Sequence, residues 1–291
     1  MNKEQRIILT RIVIGLMLIF LFIRFFQHAT PSGMASPPLF TIGLDITYWF
    51  YKLTNIPTPA IESPAGAILF DLLLFCSGIL AFIFPLRRAF IISFSVLVFI
   101  YGLSFNAYGM HHAHAFGGMM IVLIPFWFAD HSGFYLLWQG IRYYTCYIYV
   151  ASFIWKALVS HTAFYWQQGT NTFKINLVEY LYHNPTGLLT SFYRWCIRED
   201  WFLNVGNLTI VLLEAAMLIG FFTKKWDRYL FWIPVWIHVT TYFFSDVMFL
   251  ELLVLDISLL SISQIENLGR IIPLLGFQKK SSTMIPGRAT L

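Results

Sequence analysis

Runs of about twenty apolar residues recur from one end of this chain to the other, separated by short polar clusters. In a helix, about twenty apolar residues cover the roughly 30 Å hydrocarbon core of a bilayer. The pattern predicts about eight membrane-spanning helices, over roughly 7–26, 66–86, 89–109, 113–129, 139–159, 206–222, 229–245 and 247–264. The last two are divided at "FSDVMF". Two stretches depart from the pattern. "PPLFTIGLDITYWFYKLTNIPTP" (37–59) is amphipathic and bracketed by prolines, which suits a helix lying in the membrane interface. Residues 160–204 mix Trp, Tyr, Asn, Gly and charges, and predict an extracytoplasmic segment of short helices. The expected fold is an all-α polytopic membrane protein, with a transmembrane domain over 1–265 and a partly disordered cytoplasmic tail over 266–291.

Composition sharpens this picture. Only 11% of the residues are charged and 58% are hydrophobic, where a soluble domain has about a quarter charged. Aromatics reach 19%, a density that suits membrane interfaces and the walls of an apolar cavity. The net charge of +5 sits in scattered short loops and predicts no nucleic-acid partner. Cys76, Cys146 and Cys196 are far apart and give neither a disulfide framework nor zinc spacing. The first span follows "MNKEQR" without a small-residue cleavage site, so a retained helix is expected.

Basic residues set the expected orientation. Lys3 and Arg6, "RR" (87–88), "TKKWDR" (223–228), and Lys279 with Lys280 fall on one side when the spans alternate. The other side holds Lys52, Lys174, Arg194 and Arg198. Both termini are therefore expected in the cytoplasm of a multi-pass inner-membrane protein. This topology brings His112, at the start of the fourth span, and Lys156, near the end of the fifth, toward the outer face.

A charge at bilayer depth costs about 3 kcal/mol or more, so such groups normally face the protein interior and a partner. The predicted spans contain Arg24, Asp71, Arg142, Lys156, Glu214, His238, Glu251 and Asp256. Arg24 and Arg142 lie near span ends and are expected to reach the interface. Asp71 and Asp256 suit structural hydrogen bonds to neighbouring helices. Glu214 and His238 are deep enough to be partners of one another. Lys156, in "YVASFIWKALVS", has two readings: an interfacial lysine reaching outward, or an amine in an apolar pocket. Such a pocket disfavours an ammonium ion, and a neutral amine serves as general base or nucleophile.

"HHAHAFGG" (111–118) puts His111, His112 and His114 within four residues. These rings suit an interfacial cluster bonded to loop backbone, a metal site, or an imidazole that holds or protonates a substrate oxygen beside Lys156. A metal site lacks further ligands, because the other histidines are single and no Cys or carboxylate stands at metal spacing.

At these residues the chain resembles the horizontally transferred transmembrane family, which includes the membrane domain of the vitamin K-dependent gamma-glutamyl carboxylases. "HAHAFG" is similar to that family's histidine-to-glycine run and places His112 at its functional histidine. "YVASFIWK" followed by "WQQG" (166–169) resembles its aromatic helix ending in lysine, then W-x-x-G, and places Lys156 at its catalytic base. Glu214 before "TKKWDR", and His238 in the next helix, also fit. The resemblance covers roughly 65–265. It implies Lys156 and His112 as catalytic residues, and His111, His114, Trp166, Glu214 and His238 as substrate contacts. It further implies a reduced quinone, of vitamin K or menaquinol type, that reacts with oxygen after Lys156 deprotonates it. The target is then a secreted peptide or protein, or a small substrate, at the outer face. The carboxylases continue into a large extracytoplasmic domain where this chain stops, so glutamate carboxylation is not carried over. A non-catalytic scaffold or subunit, or a maturation factor for a secreted peptide, is the alternative. A transporter would favour two related halves with broken helices, and no such symmetry is visible.

Overall fold

A computed structural model describes residues 2–34, 49, 53–56, 63–107, 120–128, 131–159, 161, 165–245 and 250–272. His111, His112 and His114, most of 37–59, and the tail from 273 lie outside the described residues. Among the described residues the chain is helical, with no strand.

Helix α1 (Lys3–Phe26) starts at a capping box: Asn2 Oδ1 accepts from the Gln5 backbone N–H at 2.8 Å while the Gln5 side chain returns to Asn2. Its buried stripe contains Leu9, Val13, Met17 and Leu21, yet Ile19, Phe22 and Phe26 on the opposite side are exposed. A helix apolar on both faces suits a membrane span or the core of a larger assembly. Helix α2 (Pro64–Ile83) opens with Ser63 as cap and proline at its first position. It returns antiparallel to α1, and α3 (Arg88–Ala107) follows after a short turn. At their junction stands Gly78, where a Cβ would lie 2.7 Å from Leu18 Cδ2 and 2.9 Å from Phe94 Cε2. The missing side chain lets Leu18 and Phe94 pack against the α2 backbone here.

A 3₁₀ turn (Ile124–Trp127) leads to α4 (His131–Ile154), which continues as a π-helical turn over Trp155–Val159. Two surface helices, α5 (Gln168–His183) and α6 (Leu188–Arg198), precede α7 (Asp200–Ala216) and its short continuation α8 (Ile219–Phe222). After α9 (Asp227–Leu230) come α10 (Trp232–Ser245) and α11 (Leu250–Asp256). A 3₁₀ turn (Ile257–Leu259) then joins α12 (Ile262–Ile271).

Among the described residues four helices are long and apolar enough to cross a membrane: Lys3–Phe26, Pro64–Ile83, Arg88–Phe105 and Asp200–Phe222. Leu252–Leu259 with Ile262–Ile271 makes a fifth if the pair, bent by 115°, is counted as one span. The expected span 247–264 is therefore not straight. Its bend falls at Ser261, whose side chain caps α12. Helix α12 runs to Ile271 and packs on α1. Gln5 Nε2 donates to Glu266 Oε1 at 2.6 Å, and Ile8 fills the space beside Gly269. Within 165–204 lie the short helices α5 and α6, and α7 begins at Asp200.

The helix directions sort the charges. Arg6 donates to the Phe126 and Phe128 carbonyls, Arg11 reaches the Phe82 carbonyl at 3.4 Å, and Lys224 Nζ lies 5.8 Å from the Tyr135 ring centroid. Lys3, Arg6, Arg87, Arg88, Lys224, Lys225 and Arg228 thus gather at one end of the bundle. Lys156 and the surface helices lie at the other.

Candidate functional site

Helix α4 carries the polar groups. Arg142, Thr145, Tyr149, Ser152 and Lys156 follow at alternating intervals of three and four, which puts them on one helix face. At about 1.5 Å rise per residue the stripe runs about 21 Å. Every member meets a partner from the later half of the chain.

At the basic end, Arg142 contradicts the expectation that it reaches the interface. Its side chain is 2% exposed. The guanidinium grips Asp227 through Nε and Nη2, both at 2.6 Å. Nη2 also donates to the Gly220 and Thr223 carbonyls at 2.8 and 3.0 Å. The helix begins at His131 rather than near 139, so Arg142 lies three turns inside it. Buried there, its forked donors need fixed acceptors rather than water.

In the middle, the Tyr149 hydroxyl stands 2.8 Å from His238 Nε2 and 3.3 Å from Asp256 Oδ1. All three residues are buried. Glu214 and His238 are therefore not each other's partners. Asp256 has the structural hydrogen bond expected of it, and so does Asp71, which accepts from the Thr30 hydroxyl at 2.9 Å and from the Ser32 backbone and side chain.

At the far end, Lys156 Nζ lies 2.5 Å from Glu214 Oε1, which also accepts from Ser152 Oγ at 3.0 Å. The lysine side chain is 31% exposed and the glutamate 5%. Glu214 Oε2 is buried with no hydrogen-bonding partner among the described residues. The lysine stands on the π-helical turn, a rare widening of the helix that is frequent at functional sites. The arrangement is a cation held at the rim of the bundle by a carboxylate with one oxygen left open. A proton on the amine can move to that carboxylate over a single short contact.

Alongside lies a cavity of about 690 Å³ between α5, α7 and α10. Gly169, Phe173, Trp201, Phe202 and Phe244 line its surface-side half, while Ile210, Leu213, Trp236 and Ile237 line the deeper half. Ile210, Leu213 and Ile237 also pack in the core cluster around Tyr149 and Val150, so one apolar wall separates the cavity from the polar stripe. Trp166 is 54% exposed and does not line the cavity. In "WQQG" the structural role belongs to the glycine, because a Cβ on Gly169 would lie 2.2 Å from the Leu203 carbonyl oxygen.

Of the residues expected at the site, Lys156 and Glu214 meet directly, and His238 stands one layer deeper on Tyr149. Ser152, Tyr149 and the cavity residue Asn207 were not anticipated. The stripe was readable as a heptad of polar residues in an aromatic helix. Among the described residues no group of three His, Cys, Asp or Glu could hold a metal ion. Comparison of the chain with protein-family models, curated proteins and solved structures finds no match.

Proposed function

We propose that this chain is a multi-pass membrane enzyme of about eight spans in which Lys156 acts as general base on a reduced quinone at the outer face. The product drives modification of a secreted peptide or small substrate. The observation that carries this reading is the Lys156–Glu214 pair, with Oε2 of the buried carboxylate open. A bound quinol supplies the electrons with which oxygen is used. Lys156 takes a hydroxyl proton only when its amine is neutral, and Glu214 is the group positioned to relieve it of the proton it already holds. Ser152 fixes the carboxylate so that Oε1 faces the amine. The eight-span reading adds 113–129, α4, and the α9–α10 pair to the apolar helices. It gives α4 a membrane position because its charges are neutralised within the bundle. Positive charge gathered at one end supports a cytoplasmic location for that end and for both termini.

The competing reading is a non-catalytic scaffold in which the same ion pair simply ties α4 to α7. Oxygen uptake by proteoliposomes supplied with reduced menaquinone separates the two. An enzyme consumes oxygen, and Lys156→Arg lowers the rate at least about a hundredfold at normal protein yield, because guanidinium stays protonated. His112→Ala is expected to lose about as much. Lys156→Ala strands a buried carboxylate, so it is paired with Glu214→Gln to keep the fold. No uptake by the wild type, or an active Lys156→Arg protein, overturns the catalytic assignment.

A further inference from the structure

The cavity contains one feature that the apolar lining does not explain. Asn207 stands on α7, midway between Trp201 and Leu213, is half-buried and lines the cavity. Among the described residues its amide has no hydrogen-bonding partner. The threonines nearby are self-sufficient: Thr209, Thr240 and Thr241 bond back to carbonyls of their own helices. An amide left unpaired in an apolar, membrane-embedded space is costly, and a ligand oxygen relieves it.

Shape gives the rest. The volume of about 690 Å³ falls in the range of about 300–1,000 Å³ usual for small-ligand sites. Trp201, Val205 and Trp236 on its rim are exposed. These rim residues lie on the apolar helix Asp200–Phe222 and on α10, so the mouth opens sideways toward lipid. One glycine keeps it clear: Gly206, where an added Cβ would meet nothing within 4 Å. The surface-side half carries Thr172 from α5, and the deeper half is apolar.

We infer that the cavity binds one membrane lipid by its acyl ester. The ester carbonyl accepts from the Asn207 amide, and the glycerol side occupies the half near Gly169 and Thr172. The first carbons of the chain lie against Ile210, Leu213 and Ile237, and the remainder passes Trp236 into the bilayer. This assignment goes beyond the chemistry of Lys156 and stands without it.

The test reconstitutes the full chain in phosphatidylcholine vesicles containing a trace of phosphatidylcholine with a diazirine on its acyl chain. After photolysis, mass spectrometry locates the labelled peptides. Labelling is expected to concentrate on 205–213 and 236–241. Gly206→Leu starts into open space, since a Cβ there meets nothing within 4 Å, and is expected to reduce that labelling at least tenfold. Labelling at Leu69 and Leu72, exposed on α2, should stay unchanged and reports an intact fold. Asn207→Leu is expected to reduce the cavity labelling several-fold. Equal labelling of α2 and α7, or indifference to Gly206→Leu, overturns the proposal. Displacement of the label by excess menaquinone, but not by unlabelled phosphatidylcholine, assigns the cavity to an isoprenoid lipid and likewise overturns it.

Discussion

Arg142 and Lys156 carry the same charge on the same face of one helix and answer to different conditions. Arg142 is sealed in, and its fork is matched by the Asp227 carboxylate and two carbonyls. Breaking a buried pair by deleting one partner costs about 3–5 kcal/mol. Arg142→Ala should therefore lower the melting temperature in detergent sharply, and Arg142→Lys should recover little, since an ammonium cannot serve the bidentate geometry. A melting curve unchanged by Arg142→Lys would contradict the role assigned to the fork. Lys156 shares the Glu214 carboxylate with Ser152 and keeps an exposed flank, which lets it exchange a proton. The sequence marked both residues as anomalies, because a charge among apolar residues stands out on composition alone. Their partners were not legible: Asp227 is 85 residues from Arg142 and Glu214 is 58 from Lys156, and no local pattern encodes which helices meet.

At the scale of elements, the apolar helices α1, α2 and α3 were readable within a few residues, since length and hydropathy decide them, while α7 starts six residues before the predicted span. Helix α4 was harder. Its tyrosines and polar stripe hide its true start at His131, and that error displaced Arg142 to an imagined end. The bend before α12 was missed for a different reason: Ser261 and Gln264 form an ordinary capping box, which the apolar run before it obscures. The crossing of α5 on α7 rests on Gly169 and on the Asn204 side chain, whose Oδ1 accepts from the Thr170 backbone N–H at 3.1 Å. Gly169→Ala forces a Cβ onto backbone that cannot yield, at a cost of about 1–3 kcal/mol. The expected outcome is faster hydrogen exchange across 168–183 with α1–α3 unchanged; full protection of α5 in the variant would refute it.

For the molecule as a whole, the gathering of basic side chains at one end makes orientation testable. Ser281→Cys in a Cys76→Ser background should resist an impermeant maleimide applied to intact spheroplasts and react once the membrane is opened. Labelling from outside would reverse the proposed topology and the placing of Lys156 with it.

The stripe on α4 has a consequence in time. Its charged and tyrosine members are all made before the groups they meet: Glu214 comes 58 residues after Lys156, Asp227 comes 85 after Arg142, and Asp256 comes 107 after Tyr149. At about 5–20 residues per second, the ribosome needs about 3 to 20 seconds to deliver them. During that interval the newborn helix holds an arginine and a lysine ahead of these acceptors, each costing about 3 kcal/mol at membrane depth. Under the proposed eight-span arrangement, helix α4 settles in the bilayer only when later helices arrive, so biogenesis of this chain then runs backwards across its middle, with the fifth predicted span waiting on the sixth, seventh and eighth.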